Sequence, residues 1–212
     1  MITIYTTPLS ANGRKVLAVA RHLDIEADVR LVNVYAGEGR TPEYLAINPL
    51  GKIPTLVDGD RILPESNAIL LYLSEVCADF ALSSADPARR AEIASWLFWE
   101  ASLWQPALSA VLAETVGHLL VPAHVPAASE PPDWCDPKLA PLLPQIESAL
   151  GRDRWILGSE LTLADFAIAG MAMYFRATGF PFGDFPRLAR WYAQVEELPA
   201  WRDTCVAPFT RA

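Results

Sequence analysis

The chain has 212 residues, 52% of them hydrophobic and 20% charged, and a formal net charge of −8. This composition suits a folded chain with a sizeable core and excludes a disordered one. An acidic chain without a basic cluster disfavours nucleic acid or an anionic membrane as partner, and no apolar run reaches the roughly 18 residues of a membrane span.

Met1–Tyr5 reads as a strand and has neither the charged nor the apolar region of a signal peptide. A turn, Thr6–Gly13, and a helical run, Arg14–Leu23, follow. Asp28–Val34 reads as a strand on β-branched content, because Asn33 interrupts its alternation. Thr41-Pro42-Glu43 opens a short helix to about Ile47. The strands Thr55–Val57 and Arg61–Leu63 flank Asp58-Gly59-Asp60, a hairpin signal. Ser66 then precedes a helical run, Asn67–Val76. The order β-α-β-α-β-β-α predicts an α/β sheet with a hairpin at its end.

After Cys77 the strand signals vanish, and Ala78–Asp86 reads as a linker. Pro87 fits the first turn of a helix that runs to about Leu120. Pro106 lies inside that helix and is expected to kink it. The Pro-rich Val121–Pro137 predicts a long surface loop. Further helices are expected at Lys138–Leu150, Leu163–Thr178 and Phe185–Glu197. Residues 1–77 and 87–212 thus read as two domains, the second all-helical. Trp96, Trp99 and Leu103 recur at helical spacing, as a core stripe does. Trp104 and Leu108 form a neighbouring edge, expected to face a cleft that seats an apolar molecule.

The three cysteines, Cys77, Cys135 and Cys205, are far apart and form no CxxC. Neither a disulfide framework nor a zinc site is expected, and a reducing cytoplasm is the expected setting. Gly51-Lys52 is not a phosphate-binding loop, since Ala46 and Ile53 occupy the required glycine and hydroxyl positions.

Three stretches carry chemistry. In Asn48-Pro49-Leu50-Gly51-Lys52-Ile53-Pro54-Thr55-Leu56, Pro54 stands at a strand entry, where proline breaks an inner ladder. Either it opens an edge strand, or the Ile53–Pro54 bond is cis and the backbone of Ile53 can take an extended peptide as an added strand. In Glu65-Ser66-Asn67, Ser66 is an N-cap candidate at a helix start that could also hold a carboxylate, beside Glu65 for an ammonium. Simple capping with a solvated glutamate is the plainer account. In Thr7-Pro8-Leu9-Ser10-Ala11-Asn12-Gly13, Ser10 and Asn12 are both capping candidates, and a hydroxyl there could donate to an anion at the helix end.

This combination resembles the glutathione-binding domain of cytosolic glutathione transferases. The resemblance continues through Trp96, Glu100, Trp104 and Pro106, similar to the first long helix of the phi-like class, and through Thr162-Leu163-Ala164-Asp165, similar to the family's capping box. It implies a thioredoxin-like α/β N-terminal domain and an all-α C-terminal domain. It implies glutathione as co-substrate without a metal, a small apolar electrophile as second substrate, and a homodimer. Residue by residue, it implies that Ser10 contacts the glutathione sulfur, with Asn12 and Thr7 as possible helpers. It places Ile53, with Pro54, against the cysteinyl unit and Glu65 and Ser66 at the γ-glutamyl end. Lys52 and Arg40 would face the glycine carboxylate, and Leu9, Trp104 and Leu108 the electrophile. The cysteine-type members, which reduce disulfides or peroxides, place cysteine where Ser10 stands; its absence disfavours that alternative, which serine and asparagine members with such activity leave open, and a non-catalytic binding protein of the same fold is the other.

Overall fold

The computed structural model describes residues 1–151 and 153–207. The end of the expected second domain, residues 208–212, lies outside the described residues.

Strand β1 (Ile2–Thr6) alternates buried and half-buried positions, so Ile2, Ile4 and Thr6 share the core face. It pairs in parallel with β2 (Ala27–Leu31) and antiparallel with β3 (Thr55–Asp58), and β3 pairs with β4 (Arg61–Pro64). The sheet order is β2-β1-β3-β4. Pro54 therefore precedes an inner strand, not an edge strand, and the Ile53–Pro54 bond is cis.

Helix α1 (Ala11–His22) begins three residues before the expected start. Ser10 caps it by accepting the Gly13 N–H at 3.3 Å, so Gly13 is inside the first turn and not in the preceding loop. Glycine is needed there: a Cβ would lie 2.3 Å from both Thr6 Oγ1 and the Thr7 carbonyl oxygen. Asn12 lies in the first helical turn, so of the two capping candidates Ser10 takes the cap.

Helix α2 (Pro42–Ile47) is capped by Thr41. Helix α3 (Ser66–Glu75) starts on Ser66, with Glu65 at its N-cap position. Ser66 is thus not the cap; its hydroxyl donates instead to Asn12 Oδ1 at 3.1 Å.

The long helix expected from Pro87 is divided. Helix α4 (Pro87–Trp99) passes through a π-helical turn, Glu100–Trp104, into α5 (Gln105–Leu120). Pro106 explains the wider turn, because it has no N–H to donate and its ring crowds the carbonyl four residues back. Helix α6 (Leu143–Leu150) starts later than Lys138, with Pro144 in its first turn. Helix α7 (Leu163–Ala172) stops short of Thr178, as tighter bonds, Phe175 N–H to Ala172 O among them, replace the α pattern. Helices α8 (Pro186–Glu197) and α9 (Pro199–Asp203) complete the helical part. No helix among the described residues is long and apolar enough to cross a membrane.

Helix α1 packs on α3 and α7. Gly170 allows that approach: a Cβ there would meet Lys15 Cδ at 3.2 Å and the Ala11 carbonyl oxygen at 3.3 Å. The core runs continuously from Ile4, Val16 and Leu56 of the sheet side to Trp104, Phe166 and Trp191 of the helical side.

Candidate functional site

Two cavities meet at the start of α1. The larger, about 580 Å³, lies between Lys52-Ile53-Pro54 and the start of α3, Glu65-Ser66-Asn67. The smaller, about 280 Å³, lies beside Ser10 and is walled by Leu112, Val116, Met171 and Tyr174. Asn12 and Gln105 line both.

A polar knot fixes the first wall of the larger cavity. Tyr44 donates to the Lys52 carbonyl at 2.6 Å, and Asn48 Nδ2 donates to the same oxygen at 2.8 Å and to Thr55 Oγ1 at 3.0 Å. Asn48 is buried, so these bonds hold the turn from within. Among the described residues, no hydrogen bond takes up the N–H or C=O of Ile53, which leaves a donor and an acceptor open at the wall.

The second wall is the N-terminus of α3. Glu65 has φ 71°, a conformation unfavourable to a residue with a Cβ. Such strain persists only where the surroundings enforce it, and it gathers at functional sites. Beneath it lies a buried ion pair. Lys15 Nζ stands 3.0 Å from Glu100 Oε2, with the two side chains 0% and 1% exposed. Asn67 Nδ2 donates to that same oxygen at 2.9 Å and to the Leu97 carbonyl at 2.7 Å. Burial pulls the Lys15 ammonium below its usual range, against the opposing pull of Glu100 and Glu65. The pair ties α1 to the π turn and, through Asn67, to α3.

In the smaller cavity, Ser10 Oγ accepts the Gly13 N–H, a bond that does not use its own proton. Of the first-turn donors of α1, Gly13 N–H goes to Ser10 Oγ and Arg14 N–H to the Ser10 carbonyl. Such a helix end favours negative charge.

The predicted residues divide accordingly. Lys52, Ile53, Pro54, Glu65, Ser66 and Asn12 come together at the larger cavity, and Ser10 with Asn12 at the smaller. Arg40 is exposed and lines neither; its guanidinium donates to the Leu50 carbonyl at 3.4 Å. Thr7 is buried beneath the turn and accepts the Leu9 N–H. Trp104 and Leu108 are both 0% exposed, which corrects their expected place on the cleft. Trp104 faces the core, where its Nε1 donates to the Ile168 carbonyl at 3.2 Å. Leu9 packs against the core and lines neither cavity. The wall is instead the face carrying Ser109, Leu112, Ala113 and Val116, whose i, i+3, i+4, i+7 spacing was available to find it. Asn67 lay inside the marked Glu65-Ser66-Asn67 stretch without a role of its own, and no local signal marked Gln105 or Tyr174.

Residues 4–77 match the family described as glutathione S-transferase, N-terminal domain, and residues 122–194 match glutathione S-transferase, C-terminal domain. Glutathione S-transferase GstB of Escherichia coli K12 is 31% identical over 98% of this chain and 99% of its own length. The chain belongs to the glutathione S-transferase family. Glutathione S-transferase F10 of Arabidopsis thaliana is 30% identical over 96% of this chain and 95% of its own. The crystal structure of glutathione transferase F2 from Populus trichocarpa superposes with a TM-score of 0.84 at 26% identity, over 96% of this chain and 97% of that one.

Proposed function

We propose that this transferase binds glutathione across the larger cavity, ionises its thiol at Ser10, and directs the thiolate at an apolar electrophile in the smaller one. Residues 1–77 would hold glutathione and residues 87–212 would supply the electrophile wall. The observation that carries the reading is the meeting of the two cavities at Asn12, with the Ser10-capped helix end on one side and the Glu65-Ser66 turn on the other. The open N–H and C=O of Ile53 suit the cysteinyl backbone, and Glu65 suits the γ-glutamyl ammonium. Lys52 suits the glycine carboxylate, with Arg40 less directly placed.

The thiolate is the nucleophile, and a thiol of pKa about 8.5 is mostly protonated at neutral pH. Ser10 cannot act as a base there, but a hydrogen bond from it to the sulfur anion contributes about 1.5–3 kcal/mol. The helix end adds about 0.3–1 kcal/mol. Together, taken as additive, these lower the thiol to roughly pH 6–7 at about 1.4 kcal/mol per unit. Holding the electrophile beside the sulfur supplies proximity.

A cytoplasmic homodimer accords with the family, and Phe98 on α4, 74% exposed beside the larger cavity, offers it an apolar contact. Retention on glutathione-agarose, followed by turnover with glutathione against aryl halides, peroxides and mixed disulfides, tests the reading. Turnover of aryl halides is expected to lead. Retention without turnover of any of the three would leave a binding protein.

A further inference from the structure

Tyr174 stands just beyond the C-terminal end of α7, yet its hydroxyl reaches the first turn of α1. It accepts the Ala11 N–H at 3.2 Å and donates to the Leu9 carbonyl at 3.0 Å. The Leu9 carbonyl belongs to the peptide unit before Ser10, and the Ala11 N–H to the unit after it. One hydroxyl from the helical half therefore brackets Ser10 on both sides. The other hydrogen bonds described for Leu9 and Ser10 are local, such as Ser10 N–H to Thr7 O at 3.2 Å and Leu9 N–H to Thr7 Oγ1 at 3.4 Å.

We propose that Tyr174 is a positioning residue, holding the two peptide planes around Ser10 so that its hydroxyl meets the sulfur at a fixed angle. This rests on the reading of Ser10 as the thiolate donor. Tyr174 does not itself serve the sulfur, because its single proton is given to Leu9. Burial holds its hydroxyl above the usual tyrosine range, so it stays a neutral donor and acceptor through the working pH. Its ring lines the cleft beside Ser10, and it is 5% exposed, so its placement is set by packing. The consequence is a division of labour: the sheet half supplies Ser10, and the helical half sets its orientation.

Tyr174→Phe keeps the ring and removes only the hydroxyl. Bound glutathione should ionise at a pH higher by about half to one unit, because the donor is no longer fixed. Turnover should fall severalfold at pH 6.5 and converge with the parent near pH 9. Glutathione affinity should stay within about twofold, since neither Glu65 nor Ile53 is touched. In a Ser10→Ala background the same substitution should add no further shift; an added shift would show that Tyr174 acts independently of Ser10 and overturn the proposal. A second arm does not need glutathione. The thiol introduced by Ser10→Cys should be alkylated with a low pH midpoint, as at other helix N-termini. Adding Tyr174→Phe should raise that midpoint by about half a unit or more. Unchanged alkylation midpoints with and without the tyrosine hydroxyl overturn the clamp. If the parent fails to bind glutathione while the alkylation midpoint still moves, the clamp stands and the glutathione reading falls.

Discussion

The larger cavity and the cleft beside Ser10 are built by different means. The larger one has a polar side of turns and a helix end, where Tyr44, Asn48 and Asn67 hold backbone groups and short side chains in place, and an apolar side on α4 with Ala94, Leu97 and Phe98. The cleft is made of helix faces, with Leu112, Val116 and Met171 as its apolar surface. A site for a charged, invariant ligand needs fixed donors, and turns supply them cheaply in residues. A site for varied apolar molecules needs surface area, and its chemistry can change without touching the polar wall. Asn12 and Gln105 line both, and the buried Lys15–Glu100 pair ties α1, which carries Asn12, to the π turn just before Gln105.

The largest expected effect strikes both regions at once. Glu100→Ala leaves the Lys15 ammonium buried without its counterion, and stability should fall by about 3–5 kcal/mol. Chemical denaturation measures this. A loss below about 1 kcal/mol would mean that the pair does not brace the two halves.

Ser10→Ala separates chemistry from binding. The loss of a hydrogen bond worth about 1.5–3 kcal/mol should raise the bound thiol's midpoint by roughly one to two units. Turnover should then fall more at pH 6.5 than at pH 9, with glutathione still bound. Thiolate absorbance against pH decides it. Overlaid profiles would reduce Ser10 to a cap and make Asn12→Ala the next test.

Glu65→Ala acts on the polar wall alone. Glutathione affinity in calorimetric titration should weaken by at least about 1.5 kcal/mol, while an apolar ligand in the cleft binds as before. Equal weakening of both ligands would erase the proposed division between the cavities.

Ser109→Phe is the mirror experiment. Ser109 is exposed on the cleft wall, so the larger ring narrows the cleft without entering the core. The kcat/KM for a bulky electrophile should drop about tenfold, equivalent to about 1.4 kcal/mol. Glutathione affinity should not change.

The smallest effect lies outside both regions. The Thr162 hydroxyl and N–H donate to Asp165 Oδ2 at 3.2 Å and 3.0 Å, in a capping box at the start of α7. Thr162→Ala should cost about 0.5–2 kcal/mol in denaturation and leave the thiol midpoint alone. An unmoved denaturation midpoint would show that the hydroxyl does not secure the helix end.

Much of the polar wall was legible in the sequence because turns announce themselves locally. Asp58-Gly59-Asp60 marked the hairpin between β3 and β4, and Asn48 to Pro54 marked the approach to β3. Thr162 and Asp165 marked the start of α7 through their likeness to the family's capping box. Less local features were misplaced. Gly13 looked like a loop residue until the Thr6 and Thr7 atoms pressing on it explained a glycine inside a helix. Trp104 and Leu108 looked like a cleft edge because helical periodicity fixes which residues share a face and not which face meets a cavity.

What the sequence determined by itself was what nearest neighbours along the chain decide. That includes the order of strands and helices in the first half, the hairpin, the Thr162 cap and the polar residues gathered near Ile53 and Glu65. Each depends on backbone preferences and hydrogen bonds within a few residues. Only the tertiary structure decided which way α5 faces, that Asn67 and Lys15 converge on Glu100, and that Tyr174 closes on Ser10 from 164 positions away in the chain. Those contacts exist because α1 packs on α3 and α7, and the packing of three helices leaves no trace in the spacing of residues along any one of them.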